Sequence, residues 1–379
     1  MAELPLTSLR GEVAGTTVKR MGDLAGAELL WDDLGEIACL TFVRGVDEVE
    51  ALRRLGAYPD TIGEKDPGDF LEEFEVDFPQ VAVAIGLGSW SVVIEPVGFC
   101  GADHLLLSAA SVGTEAIVVL RHDYASAAFA YAVDGALITG FEPSYPAPTL
   151  MHGVDSQRLW PAMREVGFRP PDEDGGENSQ HSTAMALLLA QRITGVVVPR
   201  GVMDEPRMCA ELEPWFAVAY NPGDLLIADQ TLEGHAAPLV AAVQAAGPAT
   251  QRRVAVAEVR RQAKALGLDR TLGLDDALSA AAAGVGYSIA VDSPLGRQVR
   301  AWLTTSRKAS KLSPGDRHHA YGLGWFIGAL RGVLNPDPRL AALAAAKPLT
   351  SEIPGLGDHA LRAQMIEALR ASKSHTAPR

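Results

Sequence analysis

In the first half of the chain, apolar residues fall in short runs broken by Gly, Pro and Asp. In the second half they recur every three or four residues. Short runs rich in β-branched residues predict strands, and a 3.6-residue period predicts helices. Residues 36–43 read as a buried strand. Residues 47–55 read as a short helix, with Val49, Leu52 and Leu55 on one side and Gly56 as its stop. Strands at 81–85 and 90–95 are joined through Gly86-Leu87-Gly88-Ser89, and another strand covers 116–120. Strands at 129–133 and 136–142 flank Asp134-Gly135, a pair that favours a tight type I′ hairpin turn.

Helices are then expected at 155–166, ended by Gly167, and at 181–193, ended by Gly195, with a polar linker at 170–180 between them. Residues 214–232 are read as one or two further strands. Helical periodicity continues over 236–246, 250–266, 274–283, 293–311, 317–334, 338–346 and 358–371, with breaks at Gly and Pro. The fold class expected is α+β. A twisted, mainly antiparallel sheet with covering helices is followed by a mainly α-helical domain, because adjacent strands joined by short turns pair antiparallel. The domain reading is a leader at 1–27, an α+β domain at 28–212 and a mainly helical domain at 213–379.

Three stretches of the first half carry a resemblance. They are Cys39-Leu-Thr-Phe-Val-Arg-Gly45, Trp90-Ser-Val-Val-Ile-Glu-Pro-Val-Gly-Phe99 and Gly140-Phe-Glu-Pro143, joined by a helix ending in Ala190-Gln-Arg-Ile-Thr-Gly195. Together they resemble a family of uncharacterised actinobacterial proteins over about residues 28–212. The resemblance brings no activity with it. The sequence departs from the pattern at 150–153, where an Arg is expected before the Gly and His152 stands instead. More weakly, 252–266 resembles helical modules appended to other actinobacterial proteins.

Composition narrows the chemistry. The 379 residues are 47% hydrophobic and 21% charged, a normal globular balance. No run of about 18 apolar residues occurs, and residues 1–20 lack the apolar segment of a secretion signal. A cytoplasmic chain with no membrane partner is therefore expected. Cys39, Cys100 and Cys209 lie far apart, which argues against a disulfide framework and a zinc site; Cys39 and Cys100 read as small core residues. Residues 60–77 carry eight acidic groups and one Lys, and read as a solvated loop with a turn of helix around 70–74.

The net charge of −14 is uneven. From Ala249 onward there are 19 basic and 10 acidic residues, against 14 and 37 before it. Such asymmetry points to a charged partner, or to one half facing the other.

Two strands end in Glu-Pro, at Glu95-Pro96 and Glu142-Pro143. If those strands are neighbours, a carboxylate pair stands at one rim, suited to acid–base work in a hydrolase or transferase. Otherwise each Glu pairs with an Arg, Arg44 and Arg121 being the natural partners, with Asp123 in the same network. Trp90 reads as a ligand-stacking platform or as a core aromatic. Arg300, Arg307 and Lys311 fall near one helical face within the basic run 297–317, which suits a nucleic-acid contact or a solvated surface. The overall negative charge opposes the nucleic-acid reading. Adjacent His318 and His319 point apart, His152, His181 and His235 read as isolated, and no metal or other cofactor is expected. There is no P-loop and no G-x-S-x-G elbow. The leading expectation is a non-catalytic protein that binds another protein through the sheet rim or the acidic segment.

Overall fold

The computed structural model of the chain describes residues 16–73, 80–169, 181–218 and 236–371. Two compact units divide at 217/218.

The first unit is built on an open eight-stranded sheet. Its strands are β1 Ile37–Arg44, β2 Gly63–Lys65, β3 Val81–Leu87, β4 Trp90–Glu95, β5 Glu115–His122, β6 Ala128–Val133, β7 Ala136–Phe141 and β8 Arg207–Glu211. Their order is β2-β8-β3-β4-β1-β5-β6-β7, and all neighbouring pairs are antiparallel. The β6–β7 hairpin turns through Asp134 and Gly135, at φ 46° and 80°, as the Asp-Gly pair requires.

Alternate residues of the central strands feed two layers. Leu40, Phe42, Trp90, Val92, Ile94, Ile117 and Val119 enter one core with residues of α1 Thr16–Leu34 and α6 Ser182–Thr194. The opposite face carries Cys39, Thr41, Val93 and Glu95, all fully buried. It lies under α2 Glu48–Arg54, α4 His104–Ala110 and a 3-10 turn at Cys100–Ala102. Burial on both faces explains why these strands read as continuous apolar runs rather than as alternating ones.

Several boundaries differ from the sequence reading. α1 begins at Thr16, inside the expected leader, and buries Ala27, Leu30, Trp31 and Leu34. Trp31 Nε1 donates to the Thr183 carbonyl at 3.1 Å, tying α1 to α6. The acidic segment is folded as far as it is described, to residue 73: Asp66 caps α3 Pro67–Glu72, and Phe70 is 2% exposed against Val81, Val83 and Cys209. The expected strands at 214–232 are not borne out where they can be seen, since Pro214–Ala217 is a short helix, α7; residues 219–235 lie outside those described. The helix expected from 155 starts instead at Trp160, as α5 Trp160–Val166. The edge strand holds the residues before it: Val154 and Asp155 N–H donate to the Leu137 and Ile138 carbonyls at 3.0 and 3.1 Å.

The second unit is helical. It comprises α8 Ala236–Ala245, α9 Pro248–Ala265, α10 Leu274–Ala283, α11 Pro294–Arg307, α12 Pro314–Val333, α13 Pro338–Ala346 and α14 His359–Arg370. The helix expected over 293–311 stops at Arg307, and a 3-10 turn Ala309–Lys311 leads to Ser313, which caps α12.

The C-terminal end of α12 is held by a buried arginine. The Arg252 guanidinium donates to the carbonyls of Val333 at 3.2 Å, Asn335 at 2.7 Å and Pro336. The last carbonyls of a helix lack partners within it, so Arg252 satisfies groups that burial otherwise leaves unpaired. Arg252→Met is expected to lower stability by about 3 kcal/mol, read as a reduced urea midpoint. An unchanged midpoint contradicts this role.

Candidate functional site: the Glu95 rim

β4 runs out at Glu95, opposite Cys39 of β1. The chain then folds back. Cys100 N–H and Gly101 N–H each donate to one oxygen of the Glu95 carboxylate, both at 2.7 Å. Gly101 is pressed against the sheet: a Cβ there lies 2.1 Å from Thr41 Oγ1, 3.1 Å from Glu95 Oε1 and 3.3 Å from Cys39 Sγ. Only a residue without a side chain fits.

Glu95 is wholly inaccessible to solvent. Burial pushes its carboxyl above the usual carboxylate value, and the two amide donors pull it part of the way back. Burial, reinforced by Glu95, also pushes the Cys39 thiol well above its usual value, so Cys39 is no ready nucleophile. The raised carboxyl has a consequence for stability. The folded chain keeps a proton that the unfolded chain releases near 4.5, so Glu95 reduces stability as pH rises from there through its folded value. The stability of the wild type minus that of Glu95→Gln is expected to fall across this window and then level off. A difference that is flat or rises with pH contradicts the assignment.

The loop fastened by Glu95 brings Phe99 into an aromatic row with two residues at the end of β5. Phe99 is 54% exposed, and its ring centroid lies 6.2 Å from that of His122 at the end of β5. His122 lies 6.4 Å from Tyr124, which is 72% exposed and whose hydroxyl donates to Glu36. Arg121 forms a forked pair with Asp123, 2.9 Å on each arm, and reaches Asp32 at 3.6 Å. Arg121 and Asp123 therefore share a network as expected, but their acidic partners do not include Glu95.

Other candidate residues lie elsewhere. Glu142 follows β7 at the same rim, is exposed, and accepts from Ser144 Oγ at 2.7 Å. Strands β1, β5 and β6 separate β7 from β4, and four spacings of about 4.8 Å put the carboxylates roughly 19 Å apart. The expected carboxylate pair does not form. Arg44 and Trp90 stand at the opposite rim, directly across from each other. There Arg44 pairs with Glu115 at 2.7 Å, and Trp90 is 4% exposed within the core, so it is no stacking platform. In the second unit, Arg300 and Arg307 lie on α11, while Lys311 sits in the following 3-10 turn. The break at Arg307 means that they do not form one continuous helical face.

The sequence reading missed His104. His152, taken as isolated, meets it with Nε2 atoms 3.2 Å apart. Among the described residues, no group of three or more His, Cys, Asp or Glu is placed to hold a metal ion, and no helix is long and apolar enough to cross a membrane.

The first unit is thus an open antiparallel α+β domain with a buried glutamate anchoring its rim loop. Residues 30–210 match the model of a family of unknown function, DUF6461. No curated protein and no solved structure matches the chain.

Proposed function

We propose that the first unit is a protein-binding module that engages a cytoplasmic partner through the rim formed by Phe99, His122 and Tyr124. The observation that carries this reading is the pair of exposed aromatics, Phe99 on a loop held from beneath by Glu95 and Tyr124 tied through its hydroxyl to Glu36. Aromatic side chains presented on a rigid support lose little entropy on binding and bury much apolar area, so they dominate interface energetics. Asp32, Glu36 and Asp123 flank the row. The complementary partner carries an apolar pocket bordered by basic groups.

A photo-crosslinking residue at position 99, introduced in the producing cell, is expected to give one discrete protein adduct. The same residue at Val285, an exposed apolar position of the second unit, is the control. Equal labelling from both positions, or none from position 99, contradicts the proposal.

A further inference from the structure

We infer that His104 and His152 form a two-histidine binding site for a divalent transition-metal ion of the zinc and copper type, ligated through both Nε2 atoms.

The two Nε2 atoms are 3.2 Å apart. Two metal–nitrogen bonds of 2.0–2.1 Å meeting at a tetrahedral angle place their nitrogens about 3.3 Å apart. An imidazole hydrogen bond also spans such a distance, but it prefers the N–H axis of one ring aimed straight at the other nitrogen. Here the ring centroids are only 4.6 Å apart and the planes are tilted by 36°, so the rings do not meet end to end along one N–H axis. The Nε2 separation is the one that a shared cation would set.

Both ligands are set by backbone structure. His104 is the first residue of α4, whose cap Asp103 accepts from the N–H groups of Leu105 at 2.7 Å and Leu106 at 3.4 Å. His152 is clamped to the edge strand by a reciprocal pair: its N–H donates to the Gly140 carbonyl at 2.9 Å, and Gly140 N–H donates back at 2.8 Å. The His152 ring then lies over Gly140, where a Cβ stands 2.5 Å from Nε2. The edge strand therefore keeps a glycine where the ring needs room.

Charge agrees with this role. Asp103, the residue before His104, supplies negative charge beside the pair. Among the described residues no third protein ligand stands close, so such an ion would keep open positions for solvent. The site is exchangeable, unlike the closed four-ligand centres that hold zinc structurally.

The test is calorimetric titration of the full chain with zinc chloride at neutral pH, repeated for His104→Gln and His152→Gln. One site per chain is expected, weakened by roughly tenfold or more in each variant, since loss even of an outer partner costs 10–100-fold. Affinity unchanged in both variants, or no zinc-dependent heat at submillimolar metal, overturns the inference. If the variants fail to fold, the copper-loaded wild type decides by electron paramagnetic resonance. Coupling to two imidazole nitrogens supports the site, and coupling to one or none overturns it.

Discussion

Glu95→Ala is expected to destabilise the chain by about 3 kcal/mol and to loosen the loop from Pro96 to Asp103. The substitution removes the acceptor of the buried Gly101 N–H and of the half-buried Cys100 N–H. Each stranded donor costs about 1–3 kcal/mol, and the vacated volume adds to this. Relief of the buried charge offsets part of the loss, as the raised carboxyl implies. For a unit of this size the expected drop in melting temperature is on the order of 10 °C. Hydrogen exchange should speed up at Cys100 and Gly101 and remain slow in β1. A melting temperature within a degree or two of wild type contradicts the anchoring role.

The second large effect comes from the same contact, approached from the loop side. Gly101→Ala places a methyl 2.1 Å from Thr41 Oγ1, a separation no folded structure tolerates. Either the loop lifts off the sheet or the strands shift. Overpacking of this kind costs about 1–3 kcal/mol, and more where backbone must move. The Thr41 hydroxyl meets only the Cys39 thiol, a weak partner. Thr41→Ala therefore gives up packing and at most that weak thiol contact, while it removes the nearest obstacle. The double variant Thr41→Ala/Gly101→Ala is expected to be more stable than Gly101→Ala alone, with a coupling energy of at least about 1 kcal/mol in a urea double-mutant cycle. Strict additivity contradicts the contact.

Both arguments turn on a feature only half legible in the sequence. The Glu-Pro strand ends are visible as residues, and the antiparallel sheet follows from its hairpins. Their order across the sheet is not visible, because β1 inserts between β4 and β5 by long-range pairing that no local pattern encodes. Hence Glu95 and Glu142 share a rim without being neighbours. β8 escaped notice for a related reason: five residues with charged ends, Arg207 to Glu211, carry little strand signal until β2 and β3 flank them. The helices of the second unit were readable because each buries an apolar stripe between Gly, Pro or Ser/Asp stops. His104 and His152 could not be linked from sequence, since 48 positions separate them and only the bridge to Gly140 brings them together.

The central claim is that the aromatic rim, held by Glu95, is the surface through which this protein meets another. It is tested most directly by co-purification from the producing cell of wild type and of the double variant Phe99→Ser/Tyr124→Ser. Both positions are exposed, so stability should change by no more than about 0.5 kcal/mol each. The account predicts a stoichiometric partner with the wild type and its loss from the variant at an unchanged melting temperature. A partner retained at full stoichiometry by the folded variant contradicts it.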